Sequence, residues 1–347
     1  MFSSLRLIVR RWTAMKNNKR MRNLVSILLM VVLSAGLILT GCKSSGGGST
    51  GSGSGIKAIY TGPEADTFKQ LLMDALAESA AAEGMTLDFG DACLTINDQV
   101  EQIRAAVSSG YDAIICLPVD RATALQLQTA AGDVPIVYVN ACPDEQYLKE
   151  NQYIAVSSYE KNAGEYQAEY VYETLGKPSS LNIVILRGEL THNASTARSV
   201  SVKHWFQDNG IDANVVFDDT ANWSTDEAAD VINIFLNTHQ SFDAVFCNND
   251  DMALGACRAL KAAGYDLSEV PVVGVDATEA GCQSIADGDM QFTVYQSAAG
   301  QGAKAIEAVK GLVNNGSLDG IEGLSDDGLY IWVPFEKVDA NNVKDYM

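Results

Sequence analysis

Short apolar runs alternate along the chain with longer stretches in which apolar residues recur at helical spacing. The runs are rich in valine, isoleucine and leucine, and the longer stretches, such as 66–83, place their apolar residues on one helix face. Strands that alternate with helices are typical of parallel βαβ units. In the first part of the chain body the predicted strands are 56–61, 86–89, 111–116 and 134–139, and the predicted helices are 66–83, 97–108 and 122–131.

The same alternation then starts again. Its strands are almost continuously apolar, which is typical of sheets that are covered by helices on both faces. We therefore predict an α/β chain of two doubly wound, Rossmann-like parallel-sheet domains. The predicted strands of this part are 153–156, 181–186, 213–217, 244–247 and 270–275, and the helices are 160–175, 196–208, 225–238 and 250–264. Near the end come a strand at 291–295, a helix at 298–313 and a strand at 329–333.

Residues 1–41 have the pattern of a secretory signal peptide. The uncharged run 24–39 follows seven basic residues and is shorter than the ~20 apolar residues of a spanning helix. The run leads into Leu-Thr-Gly and then Cys42, which resembles the lipobox of bacterial lipoproteins. This resemblance implies that the Cys42 thiol is acylated and becomes the new N-terminus. An uncleaved anchor with an incidental cysteine is the alternative. Three translation starts stay open: Met1, Met15 and Met21.

A segment rich in glycine and serine, 42–55, joins this leader to the body. It has no large apolar side chain, so it cannot offset the entropy lost on ordering, and we predict a flexible tether with a reach of about 20 Å. The protein is therefore expected to be exported and lipid-anchored to the outer surface of the membrane, in the cell envelope. The lipid is its expected attachment to the membrane.

The charge of the chain excludes some partners. The 347 residues include 24 Lys+Arg and 44 Asp+Glu, a net charge of −20. The seven bases and no acids of 1–41 leave 17 bases and 44 acids in the rest, or −27. Phosphate binding needs a basic surface, so we expect neither nucleic acid nor an anionic membrane surface as a partner for the body.

The sequence carries no familiar catalytic or metal-binding motif. The chain has three histidines and lacks the G-x-S-x-G, H-E-x-x-H and P-loop patterns. We therefore expect neither an enzyme, a cofactor nor a metal. The six cysteines after Cys42 match no metal-ligand spacing. Buried free thiols are the favoured interpretation, and a disulfide between Cys116 and Cys142 is the alternative. The six are Cys93, Cys116, Cys142, Cys247, Cys257 and Cys282.

Polar and aromatic residues follow many of the predicted strands. Ligands of doubly wound sheets sit outside the carboxyl ends of the strands, so these residues are candidates for a binding site. Each also has a simpler interpretation, as a helix cap, a turn residue or a packing aromatic. Together they predict a site for a small polar ligand. The candidates are Asp66, Phe68, His192, Arg198, Trp223, Asn249, Asp276 and Gln296.

At these residues the sequence resembles a known family. The stretches 244–256 and 273–277, with 98–103, 110–114 and 134–140, resemble the ribose and galactose/glucose type of periplasmic binding protein, the sugar-binding lipoproteins of ABC transporters. The resemblance implies two lobes that the chain connects three times, near Cys142, Gln296 and residue 325. The implied N-terminal lobe is 56–142 plus 297–325, and the implied C-terminal lobe is 143–296 plus 326–347.

The resemblance also implies how a ligand is held. Phe68 and Trp223 would stack on the two faces of a pyranose ring, and Arg198 and Asp276 would bind hydroxyls by charge-assisted hydrogen bonds. The remaining candidates would bind other hydroxyls: Asp66, His192, Asn249 and Gln296. Two departures from the family pattern are Ala194 in place of an aspartate and Leu117 in place of an asparagine. The calcium loop of some members has no visible counterpart.

The expected function is that of a monomeric binding protein. It captures a monosaccharide, with a hexose of the galactose/glucose kind favoured, and delivers it to the membrane permease of an ABC transporter. The alternative is a sensor that presents a sugar or signalling molecule to a chemoreceptor or histidine kinase. A third hypothesis, an exported enzyme that uses Asp66 or His192, predicts turnover of the ligand.

Overall fold

The computed structural model describes residues 55–347, and the predictions for the signal peptide, for Cys42 and for most of the tether lie outside this range. Strands and helices follow one another in the predicted alternating order. The strands are β1 (Lys57–Thr61), β2 (Thr86–Phe89), β3 (Ala113–Cys116), β4 (Ile136–Val139), β5 (Tyr153–Ser157), β6 (Ser180–Arg187), β7 (Asp212–Thr220), β8 (Ala244–Cys247), β9 (Val272–Val273), β10 (Phe292–Tyr295), β11 (Tyr330–Trp332) and β12 (Glu336–Asp339). The helices are α1 (Thr67–Ala82), α2 (Ile96–Ser108), α3 (Ala124–Ala131), α4 (Glu160–Thr174), α5 (Asn193–Asp208), α6 (Thr225–Leu236), α7 (Asp250–Ala262), α8 (Glu279–Asp287) and α9 (Ala298–Asn315).

The strands form two six-stranded sheets, one in each lobe. The sheet of the first lobe has the order β11-β5-β4-β3-β1-β2 and is parallel throughout. The sheet of the second lobe has the order β12-β10-β9-β8-β6-β7 and is parallel except for the antiparallel edge strand β12. This topology confirms the prediction of two doubly wound parallel-sheet lobes.

The chain passes between the lobes three times, and two of the passages differ from the expected positions. Strand β5 pairs with β4, and β11 pairs with β5, so both belong to the first lobe. The chain therefore crosses between β5 and α4, between β10 and α9, and between β11 and β12. The first and third crossings lie at 157–160 and 332–336 rather than near Cys142 and residue 325. The physical reason is hydrogen bonding, because two apolar runs assigned to the second lobe find their partners in the first sheet.

Each sheet is covered by apolar side chains on both faces. In the first lobe, one cluster includes Leu72 of α1 and Val309 of α9, and a second on the other sheet face includes Ile103 of α2. The second lobe likewise has two clusters, built around Phe246 on one face and Val245 on the other. The nearly continuous apolar strands of the sequence therefore have the expected cause, which is burial from both sides.

Two further structural results bear on predictions made from the sequence. The six cysteines within 55–347 are all buried free thiols, which confirms the favoured interpretation over a Cys116–Cys142 disulfide. No helix in this part of the chain is long and apolar enough to cross a membrane. Helix α8 and strand β12 were not predicted, because one is short and the other is a polar edge strand with little apolar pattern.

Candidate functional site

A cavity lies between the two lobes, at the carboxyl ends of the strands, with about 320 Å³ of space that is free of protein atoms and partly open to solvent. The structure brings all eight residues predicted from the sequence to its walls. From the first lobe come Asp66 and Phe68, and Gln296 lies at the second crossing. The second lobe contributes His192, Arg198, Trp223, Asn249 and Asp276. Lys69, Asn140 and Ala194 complete the lining.

Three of these residues are also helix N-caps, so capping places their side chains at the cavity. The Asp66 carboxylate accepts a hydrogen bond from the Lys69 N–H at 2.9 Å and begins α1. The Asn249 side chain accepts from the Met252 N–H at 3.0 Å and begins α7. His192 Nδ1 accepts from the Ala194 N–H at 3.1 Å and begins α5. The helix-cap interpretation and the binding interpretation are therefore compatible, because one helix start at a strand end serves both.

The two aromatic residues of the cavity come from different lobes. Phe68 is 6% exposed and Trp223 is 7% exposed. The Trp223 backbone has φ +64°, a left-handed conformation that side chains rarely adopt, and it turns the indole ring toward the cavity. Gly188 leaves room for this ring, because a Cβ on Gly188 would lie 2.1 Å from ring atoms of Trp223. The absence of a side chain at position 188 is thus a requirement of the site.

Replacing Gly188 with alanine should therefore displace the Trp223 indole and weaken ligand binding. The added methyl group meets a rigid ring rather than the end of a flexible side chain, so the ring must move. We expect a loss of affinity of about tenfold or more, equivalent to ~1.4 kcal/mol, measured by calorimetric titration. Gly210 to alanine is a control for glycine loss in the same lobe: nothing lies within 4 Å of an added Cβ there, so its φ of +71° should lower the stability of the variant and leave ligand affinity unchanged. Unchanged affinity in Gly188→Ala would contradict the role given to this glycine.

Arg198 is the central cation of the cavity and is already held by the protein. Its side chain is 3% exposed. Nε donates to Glu160 Oε2 at 2.6 Å, Nη1 donates to the Asn248 carbonyl at 2.6 Å, and Nη2 donates to Gln296 Oε1 at 3.0 Å. A guanidinium has five N–H donors, so two remain for a ligand. Burial raises the pKa of Glu160, and the adjacent Arg198 opposes that rise.

Three polar groups at the cavity have no hydrogen-bond partner among the described residues. The Asp276 carboxylate approaches Arg198 Nη1 only to 4.0 Å and accepts no hydrogen bond within 55–347. Trp223 Nε1 and Gln296 Nε2 are buried donors that likewise lack an acceptor in this part of the chain. Burial raises the pKa of Asp276 well above its ordinary value, against the opposing effect of Arg198. Buried polar groups are normally paired, so these groups indicate a polar ligand.

Sequence reasoning missed Lys69 and Asn140. The Lys69 side chain is 8% exposed and its Nζ lies 3.0 Å from Asp66 Oδ2, which leaves further N–H donors for a ligand. Lys69 was hard to identify as a cavity residue from the sequence, because a lysine in the first turn of a helix normally points to solvent. Asn140 follows β4 as the predicted residues follow their strands, and it has φ +62°. Its position directly after a strand is the feature by which the sequence could have identified Asn140 as a site residue.

His192 and Asn140 join the two lobes across the cavity. His192 Nε2 lies 2.9 Å from Asn140 Oδ1. Because Nδ1 accepts the capping hydrogen bond, Nε2 carries the proton and donates to Asn140. Burial first, and then the nearby Lys69 and Arg198, lower the pKa of His192 well below its ordinary value, so the ring is neutral. Cys142 N–H also donates to Asn193 Oδ1 at 2.9 Å, and Thr67 Oγ1 donates to Asp251 Oδ2 at 2.7 Å. The lobes are therefore closed on each other.

The two departures from the family pattern have different surroundings. Leu117 is 1% exposed and packs in the core of the first lobe, away from the cavity walls. Ala194 lines the cavity and brings an apolar methyl group where an aspartate would bring a charge. The cavity thus has one fewer acid than the galactose/glucose pattern.

Two parallel-sheet lobes closed over a polar cavity define a binding protein that encloses a small solute. A family model described as a periplasmic binding protein domain matches residues 59–317. The chain belongs to this family, whose members act outside the cytoplasm.

Relatives and solved structures support the same class. The chain is 32% identical over 288 residues to a Rhizobium meliloti protein with the provisional name of a rhizopine-binding protein, covering 81% of this chain and 89% of that one. It is 26% identical to the D-galactose/methyl-galactoside binding periplasmic protein of Haemophilus influenzae, covering 81% and 88%. An ABC transporter solute-binding protein from Bacillus halodurans, solved with bound myo-inositol, is 31% identical with a TM-score of 0.74, covering 86% and 99%. These relatives are binding proteins, so the chain is a binding protein rather than an enzyme.

Proposed function

We propose that the protein captures a monosaccharide or cyclic polyol between its lobes and delivers it to the permease of an ABC transporter. The observation that carries this proposal is the cavity between the lobes, which is lined by an aromatic residue from each lobe and by several polar groups without a hydrogen-bond partner. A ring with apolar C–H faces and hydroxyl edges matches both features. Phe68 and Trp223 would cover the faces, and the polar side chains would bind the hydroxyls.

The charges of the cavity favour an uncharged ligand. Arg198 is paired with Glu160, and Lys69 is paired with Asp66, so most of the buried charge is balanced inside the protein. Asp276 remains as an acceptor for hydroxyl groups. Charged groups that are paired and still have spare donors suit hydroxyl binding, because they strengthen each hydrogen bond without leaving a net charge unmatched.

We propose a six-membered ring as the preferred ligand. The hexose of the galactose/glucose kind, favoured from the sequence, is one form of such a ring, and myo-inositol, found in the Bacillus halodurans protein, is another. Both present six-membered rings with hydroxyls around the edge. The loss of an aspartate at Ala194 and the presence of Lys69 favour testing myo-inositol beside the hexoses.

Ligand capture would shift the protein from an open to the closed state. The cavity has walls from both lobes, so a ligand binds the closed form far better than the open form. The cross-lobe hydrogen bonds of His192 and Thr67 add to this closed form. We propose that the closed form docks on the permease as a monomer, held at the membrane by a lipid on Cys42.

A ligand titration tests the proposed function. Purified protein is titrated with myo-inositol, D-galactose, D-glucose and D-ribose, with calorimetry and thermal unfolding as readouts. A bound ligand at a hundred times its Kd should stabilise the protein by about 2.7 kcal/mol. We expect binding of at least one six-membered ring and recovery of that ligand unchanged. Absence of binding by this panel and by other pentoses, hexoses and polyols would refute the proposal, and a chemically altered ligand would point to an enzyme instead.

A further inference from the structure

Directly behind the cavity wall lies a carboxylate that does not touch the cavity. Asp250 is the first residue of α7, next to Asn249, and is completely buried. Its Oδ1 accepts a hydrogen bond from Thr293 Oγ1 at 2.6 Å. Its Oδ2 accepts from the Thr278 N–H at 2.8 Å and from Thr278 Oγ1 at 3.2 Å. Three donors from two other elements therefore converge on one buried acid.

The backbone around this carboxylate fits it closely. A Cβ on Gly274 would lie 2.3 Å from Asp250 Oδ1, and a Cβ on Gly281 would lie 2.2 Å from Oδ2. Neither glycine has a positive φ, so its small size rather than its backbone freedom is what the site uses. The two glycines let the strand β9 end and the start of α8 approach the acid directly. The two glycines and the three hydrogen-bond donors together surround the Asp250 carboxylate closely.

The segment between these contacts has an unusual backbone. Asp276 has φ +122° and Ala277 has φ +53°, although neither is a glycine. Such conformations persist only where surrounding contacts hold them, and they cluster at functional sites. Among the described residues, the eight non-glycine residues with positive φ include five at or beside the cavity: Asn140, Asn222, Trp223, Asp276 and Ala277.

Asp250 contacts this segment on both sides. Its own N–H donates to the Val275 carbonyl at 2.8 Å, immediately before the left-handed pair. Its carboxylate holds Thr278, immediately after the pair. Thr293 Oγ1, which donates to Asp250, also accepts from the Ala277 N–H at 3.3 Å. Asp250 and the Thr293 hydroxyl therefore contact the left-handed pair before, after and within it, beside the backbone hydrogen bonds of Asp276 with Val294 and Gln296.

We propose that Asp250 is a positioning residue that acts through Thr293 and Thr278 to hold Asp276 toward the ligand. This inference rests on the proposed function, because it takes Asp276 as a ligand contact. The Asp276 carboxylate faces the cavity, and its contact with Arg198 Nη1 is long, at 4.0 Å, so the backbone turn is the main determinant of where it points. Relaxation of that turn would move the acceptor away from the ligand while the rest of the cavity stayed in place.

Hydrogen-bond donors stabilise the charged form of the buried Asp250 carboxylate. Burial raises the pKa of Asp250 to about 7, and hydrogen bonds from Thr293 and Thr278 oppose that rise. Loss of the Thr293 hydroxyl removes a donor from the carboxylate and an acceptor from Ala277 at once. A substitution of Thr293 therefore tests the proposed role of Asp250 most directly. It can do so with little change of side-chain volume.

The experiment compares Thr293→Val with Thr293→Ser. Valine keeps the shape of threonine and lacks the hydroxyl, whereas serine keeps the hydroxyl. Wild type and both variants are titrated calorimetrically with myo-inositol and D-galactose, and unfolding of the ligand-free proteins is measured alongside. We expect Thr293→Val to lose about tenfold or more in affinity, the scale of one hydrogen bond to a charged group, and Thr293→Ser to restore most of it.

The outcomes separate the two proposals. A wild type that binds neither these probes nor any other polyol overturns the proposed function and this inference together. A wild type that binds, with Thr293→Val binding equally well, overturns the inference alone. Equal losses in the valine and serine variants also overturn it, because they would show a packing effect rather than the hydroxyl.

A second pair of variants keeps the test independent of Thr293. Asp250→Asn should weaken binding, because the amide group that replaces one carboxylate oxygen would face hydrogen-bond donors from which it cannot accept. Asp243→Asn is a control for the same substitution at an exposed aspartate of this lobe. Asp243 Oδ2 also accepts from a backbone N–H, that of Asn182 at 2.6 Å, but it lies at the opposite end of the sheet. We expect wild-type affinity in the control, and equal affinity in both variants would overturn the role of Asp250.

Discussion

Replacing Trp223 with alanine should abolish most ligand binding while the protein still folds. The indole is 7% exposed, lines the cavity and has a buried Nε1 donor without a partner among the described residues. The variant loses an aromatic surface for the ring face and one hydrogen-bond donor. Buried aromatic anchors of this kind contribute about 3 kcal/mol, so we expect affinity to fall by roughly a hundredfold. Calorimetric titration with the best ligand of the panel measures the change.

A tryptophan elsewhere in the same lobe provides the control. Trp205 lies on α5 and packs against Tyr172 and Phe206, away from the cavity. Trp205→Ala should lower the free energy of unfolding and leave ligand affinity within about threefold, a change of ~0.6 kcal/mol. Circular dichroism verifies folding of both variants. If Trp223→Ala bound as tightly as wild type, the stacking role proposed for this residue would be wrong.

Replacing Arg198 with methionine should remove binding and also destabilise the protein. The guanidinium joins Glu160, Asn248 and Gln296 in a region without solvent access. Without it, Glu160 becomes a buried and uncompensated charge, and breaking such a pair typically costs about 3–5 kcal/mol of stability. The structure thus shows that an Arg198 variant alone mixes a binding defect with a folding defect.

The double variant Arg198→Met with Glu160→Gln separates these two defects. The neutral amide removes the unpaired charge, so stability should largely return while ligand binding stays lost. Thermal and denaturant unfolding measure stability, and titration measures binding. Recovery of binding in the double variant would show that Arg198 acts only as the partner of Glu160 and does not contact the ligand.

The stability of Arg198→Met should also depend on pH. Burial already raises the pKa of Glu160 in the wild type, and loss of Arg198 removes the main opposing influence. The folded state of the variant then binds a proton more tightly than the unfolded state does. Its stability is therefore greatest at acidic pH and falls as pH rises above the ordinary glutamate value of 4.5. We expect a smaller deficit relative to wild type at pH 5 than at pH 8.

Several features of the site could be predicted because they are local in the chain. A helix that starts directly after a parallel strand needs a capping side chain, and Asp66, His192 and Asn249 provide it. The carboxyl ends of parallel strands meet at one edge of the sheet, so the sequence alone predicts that these capping residues lie close together. Lys69 and Asn140 could not be distinguished in this way, because they become cavity residues only where the second lobe forms the opposite wall.

The lobe boundaries were harder to predict from the sequence than the strands and helices were. The run at 153–156 and the run at 329–333 were predicted as strands, yet they were placed in the wrong sheet. A buried strand has the same apolar pattern whichever sheet it joins. The choice is made by hydrogen bonding between segments that lie far apart in the chain, as between β5 and β11.

The sequence by itself determined the alternation of strands and helices, the two-lobed class and the residues at the strand ends. These depend on periodicity and capping, which act over a few residues. The tertiary structure alone decided which strands pair, that Lys69 and Asn140 join the cavity, and that Asp250 lies beneath Asp276. Those properties arise from contacts between distant segments and from the shape of the space left between them, which no local pattern encodes.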